Sequence, residues 1–164
     1  MTVVGPGSSR ELADLGRGSR LEDRPAWAAT EALAADLGAS PDDVETLEWS
    51  ALVYASVEAL ARHGARLVAV AQAGLADEAE PGRGRLGALD WKQVTAVFAD
   101  DPAAAPVVAV LGPAIAGLDV DAAWEHPGLA QFASETGLLW YDASELARGL
   151  VWAVTTQGNE LVEL

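Results

Sequence analysis

The sequence predicts an α+β fold. It is a single small mixed, mainly antiparallel sheet covered by helices, in ferredoxin-like βαββαβ order with an extra N-terminal strand and helix. Three observations carry this. From Pro25 to Tyr141 the segments run strand, helices, strand, strand, helix, strand. The stretch 40–64 has a helical pattern that is apolar on two sides, as a mostly buried central helix requires. The chain has 164 residues, 51 % of them hydrophobic, which suits one domain with its own core. That domain is expected over residues 1–150, with 151–164 as a C-terminal tail.

The elements follow in order. Residues 2–4 are a short β-branched strand, and Gly5-Pro6-Gly7 leads out of it. Ser8 and Glu11 have capping-box spacing, so a short helix starts there, buries Leu12 and Leu15, and stops at Gly16. Residues 16–23 read as a loop and 25–30, around Trp27, as a strand. Residues 31–37 form a helix ended by Gly38. Ser40-Pro41-Asp42-Asp43 is the strongest helix start, with serine as cap, proline in the first turn and aspartates at the positive end. This helix should reach His63. Trp49, Leu52, Val53, Ser56, Val57 and Leu60 make its buried stripe, widened by Val44, Leu47, Ala51, Tyr54 and Ala55.

Residues 66–71 form a strand. Residues 74–90, rich in glycine and acid, read as a long mobile loop that could act as a lid. A strand is expected over 91–99, with Trp91, Gln93, Thr95 and Val97 on one face and Val94, Ala96 and Phe98 on the other. Asp101-Pro102 opens a helix to about Leu111, where Gly112-Pro113 ends or kinks it. One or two short helices broken at His126-Pro127-Gly128 occupy 119–133. A strand covers 137–141, and Asp142 with Glu145 caps a last helix through Leu150.

Composition limits function. No cysteine is present, which removes disulfides, thiolate metal sites and cysteine nucleophiles. Residues 1–20 lack the apolar run of a signal peptide, and no stretch is long enough for a membrane span, so the expected location is cytoplasmic. Against 25 acidic residues stand 10 basic ones, for a net charge of −15. From Gln93 onward Arg148 is the only basic residue. Such a surface repels nucleic acid and anionic membrane, and attracts a basic protein partner or a metal ion. The plainer reading is that acidity serves solubility.

Few motifs carry chemistry. Gly5-Pro6-Gly7 lacks the third glycine of a dinucleotide loop, because Arg10 stands in its place. His63 and His126 lack the spacing of a zinc pair, and no Gly-x-Ser-x-Gly elbow occurs. No cofactor is expected. The sharpest chemical candidate joins Asp100, Asp101 and Asp142, which lie at strand-to-helix junctions. Converging, they would make a catalytic or Mg²⁺ site; as helix caps, they need no further role. Trp140 and Tyr141 face opposite sides of a strand, and the exposed one could anchor a partner.

Several segments also resemble a known family. These are Arg66-Leu67-Val68-Ala69-Val70-Ala71, then Val94-Thr95-Ala96-Val97-Phe98-Ala99-Asp100-Asp101, then Leu138-Leu139-Trp140-Tyr141-Asp142-Ala143-Ser144-Glu145-Leu146. They resemble an actinobacterial family of small intracellular proteins without assigned function. The likeness covers the last two thirds of the chain and is weaker before Ala65. It implies a small cytoplasmic α/β domain and no activity, cofactor or catalytic residue. The expected function is therefore non-enzymatic, through protein–protein interaction. The alternative is a metal-dependent hydrolase or phosphotransfer enzyme using the three aspartates. The oligomeric state is not legible.

Overall fold

The computed structural model describes residues 1–146, with side chains through Ser144. It also describes the backbone of four two-residue strands between Leu150 and Glu163. The architecture is α+β, built on one open seven-stranded antiparallel sheet. In chain order the elements are β1 (Thr2–Pro6), α1 (Ser9–Gly16), β2 (Leu21–Ala28), α2 (Glu31–Leu37), α3 (Val44–His63) and β3 (Leu67–Gln72). Then come β4 (Leu75–Glu80), β5 (Arg83–Leu89), β6 (Val94–Asp100), α4 (Ala105–Ile115), α5 (Val120–Trp124), α6 (Pro127–Glu135), β7 (Leu138–Asp142) and α7 (Ala143–Leu146).

The sheet order is β4-β5-β2-β1-β3-β6-β7, and every neighbouring pair is antiparallel. The expected succession of strands and helices is present, with an added hairpin. Because β1 lies between β2 and β3 and is antiparallel to both, those two strands run the same way. The β2–α2–α3–β3 unit is thus a split crossover with its helices on one face. No two parallel strands are neighbours in this sheet, where a mixed one was expected.

Alternation along each strand builds two cores. Val4, Trp27 and Val68 face α2 to α6 together with Leu33, Leu60, Ile115 and Leu129. Val3, Ala28, Leu67, Ala69 and Val97 face the other way, where Leu12 and Leu15 of α1 and Ala143 of α7 cover them. The local signals act as expected in α1, where Ser8 and Glu11 form a complete capping box. Helices α2 and α3 end at Gly38 and Gly64, both in the left-handed conformation that glycine adopts without penalty.

Several expectations are corrected. The 74–90 segment is the β4–β5 hairpin and not a loop. It turns at Pro81-Gly82, where Gly82 has φ +76°, and β5 pairs along β2 from Trp27 to Leu21. Leu86 and Leu89 are buried, and this anchors the hairpin to the sheet. The cap of α3 is Asp43, whose carboxylate accepts from Thr46 N, and not Ser40. Residues 91–93 form a single 3₁₀ turn capped by Asp90. A bulge between Val70 and Ala71 then places Val94 on the same core as Val97 and Ala99. Helix α4 continues through Pro113 to Ile115, and an irregular 3₁₀ turn at Pro102–Ala104 precedes it. The end of the predicted last helix, 147–149, and most of the 151–164 tail lie outside the described residues.

Candidate functional site

The three junction aspartates have separate environments. Strand β6 runs antiparallel to β7, with Ala96 opposite Asp142 and Asp100 opposite Leu138. At about 3.3 Å per residue, that separates the backbones of Asp100 and Asp142 by roughly 13 Å. Their strands end at opposite edges of the ladder, so the pairing direction itself keeps them apart. Asp100 is buried and binds Arg66, whose backbone N donates to Oδ2 at 2.8 Å and whose Nε donates to Oδ1 at 2.6 Å. Asp101 accepts from Ala103 N at 2.8 Å, and Asp142 from Ser144 N at 2.7 Å. Among the described residues no group of three or more His, Asp or Glu side chains is placed to hold a metal ion.

Trp140 and Tyr141 divide as strand alternation requires. Tyr141 packs against the α1/α7 core, and burial, followed by the charge of Asp101, raises its phenol above the ordinary pKa. Trp140 is on the opposite face and is 57 % exposed.

Trp140 lines a groove of about 370 Å³. Its floor is the sheet, with Thr2 and Val4 of β1, Val70 of β3, and Ala96 and Phe98 of β6. Its wall is the first half of α3, with Glu45, Glu48, Trp49 and Leu52. The groove follows from the packing of α3. Val57 and Leu60, farther along the helix, are fully buried on the sheet. The N-terminal half leaves the floor uncovered toward β7.

Trp49, expected in the buried stripe, is instead 59 % exposed at this wall. Helical spacing places a residue on a face, but it does not say how far along the helix the partner surface extends. Among the described residues, only the carboxylates of Glu45 and Glu48 bring charge to this groove, and no ion pair with a described residue engages either of them. The site therefore combines indole and phenyl surface with negative charge that no described residue pairs. This combination favours a cation with apolar surroundings. The sequence analysis did not single out Glu45 and Glu48 and placed Trp49 in the buried stripe; the available signal was a tryptophan beside one acid and one turn from another on a helix.

A second buried carboxylate has a structural role. Glu58 of α3 accepts from Trp27 Nε1 at 2.8 Å, Arg83 Nε at 3.0 Å and Nη2 at 2.8 Å, and Arg62 Nη1 at 3.2 Å. Burial pulls its pKa upward. The hydrogen bonds from Arg83 and Trp27 and the charges of Arg83 and Arg62 outweigh this and hold it below the ordinary value. The network ties α3 to β2 and β5.

The pattern of a Family of unknown function (DUF6912) matches residues 1–150, and the chain belongs to that family. The match covers the N-terminal part of the chain as well as the segments from Ala65 onward. No curated protein and no solved structure matches the chain.

Proposed function

We propose that this member of a family without assigned function is a non-enzymatic binding domain. Its partner is a protein that presents a basic, partly apolar segment to the groove between α3 and the sheet. The observation that carries this is the pair Trp49 and Trp140, which stand exposed on the helix wall and the sheet side of one groove beside Glu45 and Glu48. Exposed tryptophan is costly to leave in water and is enriched among residues that dominate interfaces. A lysine or arginine over an indole gains about 0.5–1 kcal/mol at exposed sites, and about 2 or more when desolvated. The overall charge of −15 adds long-range attraction for such a segment and repels nucleic acid and anionic lipid.

The setting that fits is the cytoplasm of an actinobacterium. Support comes from the cysteine-free composition and the segment likeness described above; among the described residues no helix is long and apolar enough to cross a membrane.

The test is titration with two defined peptides, one alternating lysine and leucine and one alternating glutamate and leucine, followed by tryptophan emission and calorimetry. The lysine peptide should bind saturably and more weakly as salt rises. The glutamate peptide should not bind. Trp49→Ala and Trp140→Ala should each weaken binding about tenfold, in the range of an interface hot spot. Binding that survives the double substitution, or no binding of the lysine peptide, overturns the reading.

A further inference from the structure

The two carboxylates of the groove differ in what explains them. Glu45 lies in the first turn of α3, where negative charge complements the positive helix end. Glu48 is one turn farther along, beyond the reach of that effect, and is half-buried at the wall. No described residue gives it a hydrogen bond or an ion pair. On a helix, residues three and four apart are neighbours, so Glu45 has Glu48 on one side and the indole of Trp49 on the other. Like charges at this spacing destabilise an isolated helix. Nothing within α3 offsets that cost. A cation received against the indole does.

Resting on the basic-segment reading of this groove, we propose that the residue it selects is arginine rather than lysine. A guanidinium is flat, weakly hydrated and carries its N–H donors around one plane. Laid against an indole it keeps its edge free, and that edge can donate to two carboxylates one helical turn apart. An ammonium is a compact, strongly hydrated point charge. It loses more hydration on entering a groove floored by Val4, Val70, Ala96 and Phe98. A trimethylated lysine suits aromatic surface. It has no N–H to donate, however, and would cover Glu48 without giving it a hydrogen bond. Among the described lining residues, the floor's one side-chain acceptor is the Thr2 hydroxyl, which already accepts from Gln72 Nε2 at 3.2 Å. The acids of the wall therefore set which donor geometry fits.

The experiment titrates the full chain with three peptides of equal length and charge, in which leucine alternates with arginine, lysine or trimethyl-lysine. Calorimetry reads the affinities. The arginine peptide should bind about tenfold tighter than either of the others, the equivalent of one charge-assisted hydrogen bond gained. Glu48→Gln should cut this preference to about threefold or less. Glu125→Gln removes the same charge from a residue that does not line the groove, and the preference should survive it. Equal affinity for the arginine and lysine peptides overturns the inference and leaves the basic-segment reading standing. So does tighter binding of the trimethyl-lysine peptide, or a preference for arginine that Glu48→Gln does not reduce. A preference that falls equally in Glu125→Gln also overturns it, because net charge would then be its source. Failure of all three peptides to bind removes the inference and the reading together.

Discussion

Arg66 grips Asp100 with both its backbone N and its side-chain Nε, at 2.8 and 2.6 Å, where both residues are buried. The same guanidinium lies 4.1 Å over the Phe132 ring and donates from Nη2 to Thr136 O at 3.0 Å. One side chain thus ties the start of β3 to the end of β6 and to α6. An aspartate that looks available in sequence is committed to holding two strands and a helix.

Removing Asp100 should therefore act on stability. Asp100→Ala leaves a buried, unpaired guanidinium and should cost about 3–5 kcal/mol in urea unfolding. The double change Arg66→Met with Asp100→Leu should recover most of that loss, because no buried charge remains. Asp101→Ala removes only a cap and should cost about 1 kcal/mol.

Glu58 should give an acid-sensitive transition. Its folded pKa is below the ordinary glutamate value of 4.5, so the stability it contributes is fully present above that value. It is lost as pH falls below 4.5 through the folded pKa. Glu58→Gln should cost about 1.5–3 kcal/mol at neutral pH, the range for hydrogen bonds to a charged group. It should also flatten the acid limb of the stability–pH curve, read by urea melts at a series of pH values.

His63 acts in a higher window. Burial lowers its pKa below 6.5; Glu11, 3.9 Å away, pulls upward, and the charges of Arg62 and Arg24 push down. Between the folded and unfolded values the unfolded chain binds more protons, so stability declines as pH falls from 6.5 through the folded pKa. His63→Gln should remove this slope and leave the Glu58 transition below it in place.

The hairpin has a tight closure at Gly84. A Cβ there would lie 2.5 Å from the Ala76 carbonyl oxygen, across the β4–β5 pair. Gly84→Val should force the strands apart and cost about 1–3 kcal/mol. Faster amide exchange should be confined largely to β4 and β5, the two strands that Gly84 joins closely.

The sequence alone determined what depends on neighbours along the chain. The Ser8–Glu11 capping box, the glycine stops at 38 and 64, and the break at Pro127 are local hydrogen-bonding and dihedral requirements, and they hold in the structure. The alternation that sends Trp140 and Tyr141 to opposite faces is equally local. Strand direction and helix reach are not local. The antiparallel pairing of β6 with β7 sets Asp100 and Asp142 at opposite ends of a ladder, and nothing in either segment encodes that. The β4–β5 hairpin became legible only through its partner β2, because an exposed, acid-rich strand carries little apolar signal of its own. The groove depended on how α3 lies across the sheet, which left Trp49 in solvent although its spacing matches that of buried Leu52 and Leu60. Local chemistry placed the caps and turns, and long-range packing decided which acids and aromatics remained open to a partner.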